Sequence, residues 1–394
     1  MRNLGVVARG LRTPIIKSGD NLHDILVETL DKVHKEDNIE FRDMDVLAVT
    51  ESILARSQGN YATIEQLKKD LDRKFEKEIG VVFPITSRNR FSTIMNAIAQ
   101  TDKKIKVFFN FPSDEVGNAL FDKSLLIGKD INIYNDILNE KEYRELVGED
   151  NRHIFTGIDY VKLYKSYREN EDIEVYFTNN PEEIAKLSDE LLICNIHDRV
   201  YYKETFKKLG VKNVLSLDNI LDKPVDGSGY NELYGVYGSN LSTESSIKLF
   251  PRDSQEFVEK LQKDINEKYG VNMQVMIYGD GAFKDPIGKI WELADPVVSP
   301  GYTKGLEGTP NELKIKYIAD TDLKDMKGQE ALDAIKDKIS HKESNLVGSN
   351  ASLGTTPRQL TDLLGSLSDL VSGSGDKGTP VVLIQGYFDN LASN

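Results

Sequence analysis

Short apolar runs recur along the chain. They are LGVVARG (4–10), DVLAVTESIL (45–54), IKVFFNF (105–111), IEVYFT (173–178), ELLICNI (190–196), NVLSLD (213–218), QVMIYGD (274–280) and PVVLIQGY (380–387). Runs of this length bounded by turn formers predict buried strands. Between them the apolar period changes to that of a helix. In SGDNLHDILVETLDKVHKE, Leu22, Ile25, Leu26, Thr29, Leu30 and Val33 share one face. PRDSQEFVEKLQKDINEKYG carries Phe257, Val258, Leu261 and Ile265 as a stripe and stops at Gly270. TTPRQLTDLLGSLSDLVSG opens on threonine and proline and ends in glycine, a third predicted helix.

The segment from Asp172 to Asp222 predicts strand, helix, strand, helix, strand, a small doubly wound unit. A Gly- and Ser-bearing stretch, VDGSGYNELYGVYGSNLSTESS, follows it. The expected organisation is therefore a mixed α/β (α+β) core formed by 1–168 and 248–394, with an inserted α/β subdomain and linker at 169–247. A chain of 394 residues with 39% hydrophobic side chains has material for two or three such units.

Charge and cysteine content remove several function classes. The net charge of −14 argues against a general nucleic-acid or membrane-surface binder, while leaving room for a local cationic pocket. The single cysteine, Cys194, sits in an apolar run and reads as a buried hydrophobe; it precludes an intrachain disulfide and a cysteine zinc cluster. No leader-like or bilayer-spanning apolar stretch is evident, so a cytoplasmic location is expected.

Four stretches carry candidate chemistry. In LRTPIIKSGDNL, Lys17 offers a cation, and Gly19-Asp20 opens a helix whose amides can face an anion; Asp20 is equally a plain N-cap. In DVLAVTESILARSQGN a buried strand is followed by Glu51, Ser52 and Arg56, the last suited to phosphate or merely solvated. In IFTGIDYVKLYKS, Asp159 follows a glycine and an apolar residue, much as Asp280 follows Gly279 in YGDGAFKDP. Two such carboxylates suit Mg²⁺ or Mn²⁺ bridging nucleotide phosphates. Asp280-Gly281 reads just as well as a hairpin turn. In SGSGDKGTPVVLIQGY the glycines either cradle phosphate or form a flexible linker, and the Walker A pattern is absent. The His197-Asp198 pair reads as a loop rather than a dyad.

At these stretches the sequence resembles the coenzyme F-420-0:L-glutamate ligase (gamma-glutamyl ligase) family. TPIIKSGDNL, DVLAVTESILARSQG, TGIDYV, KLFPRDSQEFVEKLQKDI with VMIYGDG, and SGSGDKGTPVVLIQG follow the family's order over about half of the chain. The resemblance implies a two-domain α/β fold, a homodimer, and nucleotide-dependent amide formation with two divalent ions. In that chemistry a carboxylate takes the gamma-phosphoryl group, and the amino group of glutamate displaces phosphate. It further implies nucleotide contacts at Thr13, Pro14, Ile15, Ile16, Lys17, Glu51, Ser52 and Arg56. The nucleotide loop falls on Gly373, Ser374, Gly375, Asp376, Lys377 and Gly378, and the metal carboxylates on Asp159 and Asp280; Asp376, the acid nearest to Ser374, is a third candidate metal ligand. Lys284, Asp285 and Arg56 are the expected catalytic groups.

The sequence departs from the family pattern at three places. Gly281 replaces the family's Thr or Ser after the metal aspartate, leaving Lys284 to serve for an arginine. Ser374 stands where a Glu or Gln is usual, and Lys162 where an asparagine is usual. Asp285, Trp291, Glu292, Asp295 and Glu307 lie in a long stretch rich in proline and glycine, which reads equally as part of an acceptor pocket or as a structural excursion over the sheet. The expected partners are a small-molecule carboxylate, an amino acid and GTP or ATP. A folate-like acceptor, or a nucleotide-binding protein without ligase activity, are the alternatives these departures leave open.

Overall fold

A computed structural model describes residues 4–87, 89–170, 172–281, 295–355, 358–372 and 376–393. The chain is mixed α/β. Its strands begin with β1 (Val7–Leu11), β2 (Val46–Thr50), β3 (Tyr61–Thr63), β4 (Glu78–Val82), β5 (Lys104–Phe109), β6 (Ile137–Asn139) and β7 (Ile173–Thr178). They continue with β8 (Glu190–Ile193), β9 (Asn213–Ser216), β10 (Asn240–Thr243), β11 (Ser246–Lys248), β12 (Gln274–Tyr278), β13 (Gly301–Tyr302) and β14 (Val381–Gln385).

A five-stranded sheet has the order β1-β14-β2-β12-β13. Its central strands are buried, save for the half-buried Thr50 at the end of β2, because helices cover both faces, as continuous apolar runs require. Leu47, Val49, Val275, Ile277, Val381 and Leu383 pack one way, with Leu26 and Leu30 of helix Leu22–Lys35 and with Val258, Leu261 and Ile265 of helix Ser254–Tyr269. Val46, Ala48, Met276, Tyr278, Val382 and Ile384 pack the other way, with Leu364 of helix Leu360–Ser372. The stripes expected on the first two helices are buried except for Ile25 and Phe257, which are partly buried against the same core, and Gly270 closes the second helix in a left-handed conformation at φ 68°. The N-cap of the first helix is Asn21 rather than Asp20, whose carboxylate instead accepts from the amide of Lys17 at 2.6 Å.

A six-stranded sheet has the order β6-β7-β5-β4-β8-β9, parallel except for β6. The expected strand-helix series at 172–222 is present as β7, helix Pro181–Leu187, β8, helix Arg199–Lys208 and β9. Yet β7 and β8 are not neighbours, because β5 and β4 stand between them. The sheet therefore draws strands from both sides of residue 169, where the insertion was expected to start. A third sheet, β10-β11-β3, connects the two parts.

Asn60, fully buried behind helix Glu51–Ser57, ties this junction together. Its Nδ2 donates to the carbonyls of Tyr230 and Phe250, and its Oδ1 accepts from the amide of Tyr230 at 2.9 Å and from Arg252. Asn60→Ala leaves several of these groups unpaired and is expected to lower unfolding free energy by about 2–4 kcal/mol. Urea unfolding checks this, and a loss below about 1 kcal/mol would contradict it.

Candidate active site

Strand register brings distant parts of the sequence to one edge of the five-stranded sheet. Leu11 at the end of β1 pairs with Val381 at the start of β14, and Val381 pairs with Val49 near the end of β2. Tyr278 at the end of β12 pairs with Thr50 at the end of β2. The loop after β1, the helix after β2, Gly279-Asp280 after β12 and the Gly-rich loop before β14 thus all leave the sheet at the same edge. The amide of Thr50 donates to the carbonyl of Pro380 at 3.0 Å, and that of Gly19 to Ser57 at 2.9 Å, joining these stretches directly.

The expected nucleotide-contacting residues lie on these segments. Thr13 is half-buried, Pro14, Ile15 and Lys17 are exposed, and Ile16 is buried in the core below. Arg56 is exposed and Ser52 half-buried on the helix after β2, while Asp376, Lys377 and Gly378 are exposed before β14. Gly373, Ser374 and Gly375 lie outside the described residues, as do Lys284, Asp285, Trp291 and Glu292. Glu307 is exposed.

Two further groups share the edge with Asp280. Glu51, 5% exposed, is held by Lys248, whose Nζ lies 2.8 Å from each carboxylate oxygen. Asp295, also 5% exposed, accepts from the amide of Asp280 at 2.6 Å. Burial pushes the Asp295 carboxyl well above the usual carboxylate range, reinforced by the charges of Asp280 and Glu51 and opposed by Arg90. Arg90, in the loop after β4, places Nη2 2.8 Å from Asp280 Oδ2 and Nη1 3.7 Å from Asp295 Oδ1.

Gly279 and Gly281 serve close approach rather than a tight turn. A Cβ at Gly279 would lie 2.1 Å from Asp295 Oδ2, and one at Gly281 would lie 2.8 Å from the Cα of Ser366. Neither glycine has positive φ, and the strand that pairs antiparallel with β12 is β13, more than twenty residues on. Among the described residues both edges of β12 are paired, by β2 and by β13.

Asp159 sits elsewhere. It is the N-cap of helix Tyr160–Lys165, accepting from the amide of Lys162, and its Oδ1 lies 2.9 Å from Arg144. Among the described residues no hydrogen bond or ion pair joins it to Asp280. His197 and Asp198 are exposed beyond β8, and the buried thiol of Cys194 is pushed well above its ordinary pKa by burial.

Among the described residues no group of three or more histidine, cysteine, aspartate or glutamate side chains forms a ready metal cage. A hard divalent ion bound through phosphates needs only one or two carboxylates. The buried Asp280 Oδ2 and Asp295 Oδ1, each without a hydrogen-bond partner, fit that requirement. Among the same residues no helix is long and apolar enough to cross a membrane.

Acids and cations gathered at the carboxyl ends of two parallel strands of a helix-covered sheet have the layout of an α/β enzyme site for small molecules. The chain belongs to the F420-0:gamma-glutamyl ligase family, whose model matches residues 10–386. It is accordingly an enzyme of the gamma-glutamyl ligase type, and the match runs through both large sheets. Comparison with curated proteins returns no match to this chain.

Proposed function

We propose that this chain is a nucleotide- and divalent-metal-dependent ligase that joins L-glutamate to a small carboxylate substrate through an acyl phosphate. Family membership supplies the reaction class, and the observation that carries the site is the meeting of four separate loops at one sheet edge beside Asp280. Asp280, with Asp376 on the adjoining loop, would hold Mg²⁺ or Mn²⁺, which would supply neutralisation of the phosphate charge. Thr13 to Lys17 and Asp376 to Gly378 flank the nucleotide, and the exposed Lys17, Arg56 and Lys377 offset its charge. The gamma-phosphoryl group passes to the acceptor carboxylate, releasing nucleoside diphosphate. The glutamate amine then attacks the acyl carbon, the amide bond forms and phosphate leaves. Buried Glu51, neutralised by Lys248, keeps the strand end in place beneath these groups. F420-0, named in the family's description, is the first acceptor to try.

Purified protein with Mn²⁺, GTP or ATP, L-glutamate and a panel of carboxylates headed by F420-0 is expected to release phosphate only when all four components are present. If nucleotide and metal raise the melting temperature but no acceptor elicits phosphate, the chain binds nucleotide without ligating. If neither ligand raises it, the site assignment is wrong, since ligands that favour the native state must stabilise it.

A further inference from the structure

Half-buried Asp280 and buried Asp295 form a pair of carboxylates that the described contacts leave incompletely satisfied. Asp280 Oδ2 lies 2.8 Å from Arg90 Nη2, but the approach is too poorly aligned to count as a hydrogen bond. Asp295 Oδ1 and Arg90 Nη1 are 3.7 Å apart and likewise lack hydrogen-bond partners. Three charged groups are thus packed together with one polar atom each left unpaired, an arrangement that costs free energy unless something compensates it. Of the other acids, Glu51 has both oxygens on Lys248, while Asp159 is held through Oδ1 by Arg144 and keeps a buried Oδ2 without a hydrogen-bond partner.

The local construction favours a small hard cation. Asp295 reaches Asp280 only because Gly279 has no Cβ to meet its Oδ2. Its other oxygen is buried, and its side chain is 3% exposed. Two carboxylates and one guanidinium sum to a net charge of −1, so a divalent ion in place of Arg90 brings the pair to neutrality. The remaining coordination is left to water and phosphate oxygens, as Mg²⁺ and Mn²⁺ prefer.

We propose that Asp295 is a further carboxylate of the divalent-metal site at Asp280, beside Asp376, and that Arg90 is the counter-cation which metal binding displaces. The inference rests on the proposed metal dependence and adds to it the residue that completes the site. It also couples the two sheets: Arg90 belongs to the loop between β4 and helix Ser92–Ala99, so metal occupancy repositions a loop at the carboxyl end of the six-stranded sheet.

Mn²⁺ binding, followed by the electron paramagnetic resonance of free Mn²⁺ with and without a non-hydrolysable nucleoside triphosphate, tests this without turnover. Asp295→Asn is expected to weaken Mn²⁺ binding more than about tenfold. Arg90→Gln is expected to tighten it by about tenfold, and Asp159→Asn to leave it within about twofold. Melting curves show whether each variant is folded; should Asp295→Asn not fold, the Arg90→Gln result decides. Wild-type affinity in folded Asp295→Asn, or weaker binding in Arg90→Gln, overturns the inference while leaving metal dependence intact. Absence of Mn²⁺ binding by the wild type, even with nucleotide, overturns both.

Discussion

Asp280→Asn is expected to lower kcat by at least about 10²–10³-fold while leaving the melting temperature of the ligand-free protein unchanged or raised. The two effects have one origin. Asp280 is held against Asp295 at the end of β12, where the charge of one carboxylate disfavours the ionisation of the other. Folding thus keeps together two groups that repel, and removing one charge relieves the native state. The same charge density gives a divalent ion its foothold, so neutralising it removes the ion's main protein ligand. The asparagine retains the backbone donor to Asp295 and nearly the same volume, so a folding defect is not expected. Steady-state phosphate release and a thermal melt check both halves. A variant that retains turnover would exclude Asp280 from the metal site, and one that melts far below the wild type would assign it a structural role instead.

Lys248→Met is expected to destabilise the protein by about 3–5 kcal/mol. Lys248 is 6% exposed on β11 and places Nζ 2.8 Å from both oxygens of Glu51, itself 5% exposed. Methionine matches the stem but leaves a buried carboxylate without its cation. The double variant Lys248→Met/Glu51→Gln should recover most of the loss, because no uncompensated charge then remains. Chemical unfolding of the single and double variants measures the difference. A single variant within about 1 kcal/mol of the wild type would show that the pair contributes little to folding. Because Lys248 comes from the three-stranded sheet and Glu51 follows β2, the pair also fixes that sheet against the site.

The residues that carry this account differ in how far they could be read from the chain. The apolar runs ending at Thr50 and Tyr278 and beginning at Val381 mark buried strands, and the resemblance places the nucleotide contacts on the loops beside them. Those loops do share an edge. The partner of Asp280 was not legible. Asp159 follows a glycine at a run's end just as Asp280 does, but that local likeness holds no information about which strands neighbour one another. Asp295 lies fifteen positions from Asp280 in a stretch without periodicity, and only the missing Cβ of Gly279 makes their contact possible. Arg90 sits in SRNRF, where nothing local distinguishes it from a surface arginine. The six-stranded sheet was half visible for a related reason. EIGVV at β4 is short and follows a charged helix, so its run is hard to see; IKVFFNF does mark β5, but nothing in it tells that β5 and β4 stand between β7 and β8, which therefore read as a separate small unit.

The central claim is that nucleotide and metal meet at the carboxyl end of β2 and β12. The six-stranded sheet offers the obvious rival, since its parallel strands reverse direction of winding between β4 and β8, where open α/β sheets commonly hold ligands. A crystal structure with Mn²⁺ and a non-hydrolysable nucleoside triphosphate separates the two. The account predicts an anomalous Mn²⁺ peak on the Asp280 carboxylate, with phosphates against the loops that follow β1 and precede β14. A nucleotide lodged between β4 and β8, with no manganese at Asp280, would contradict it.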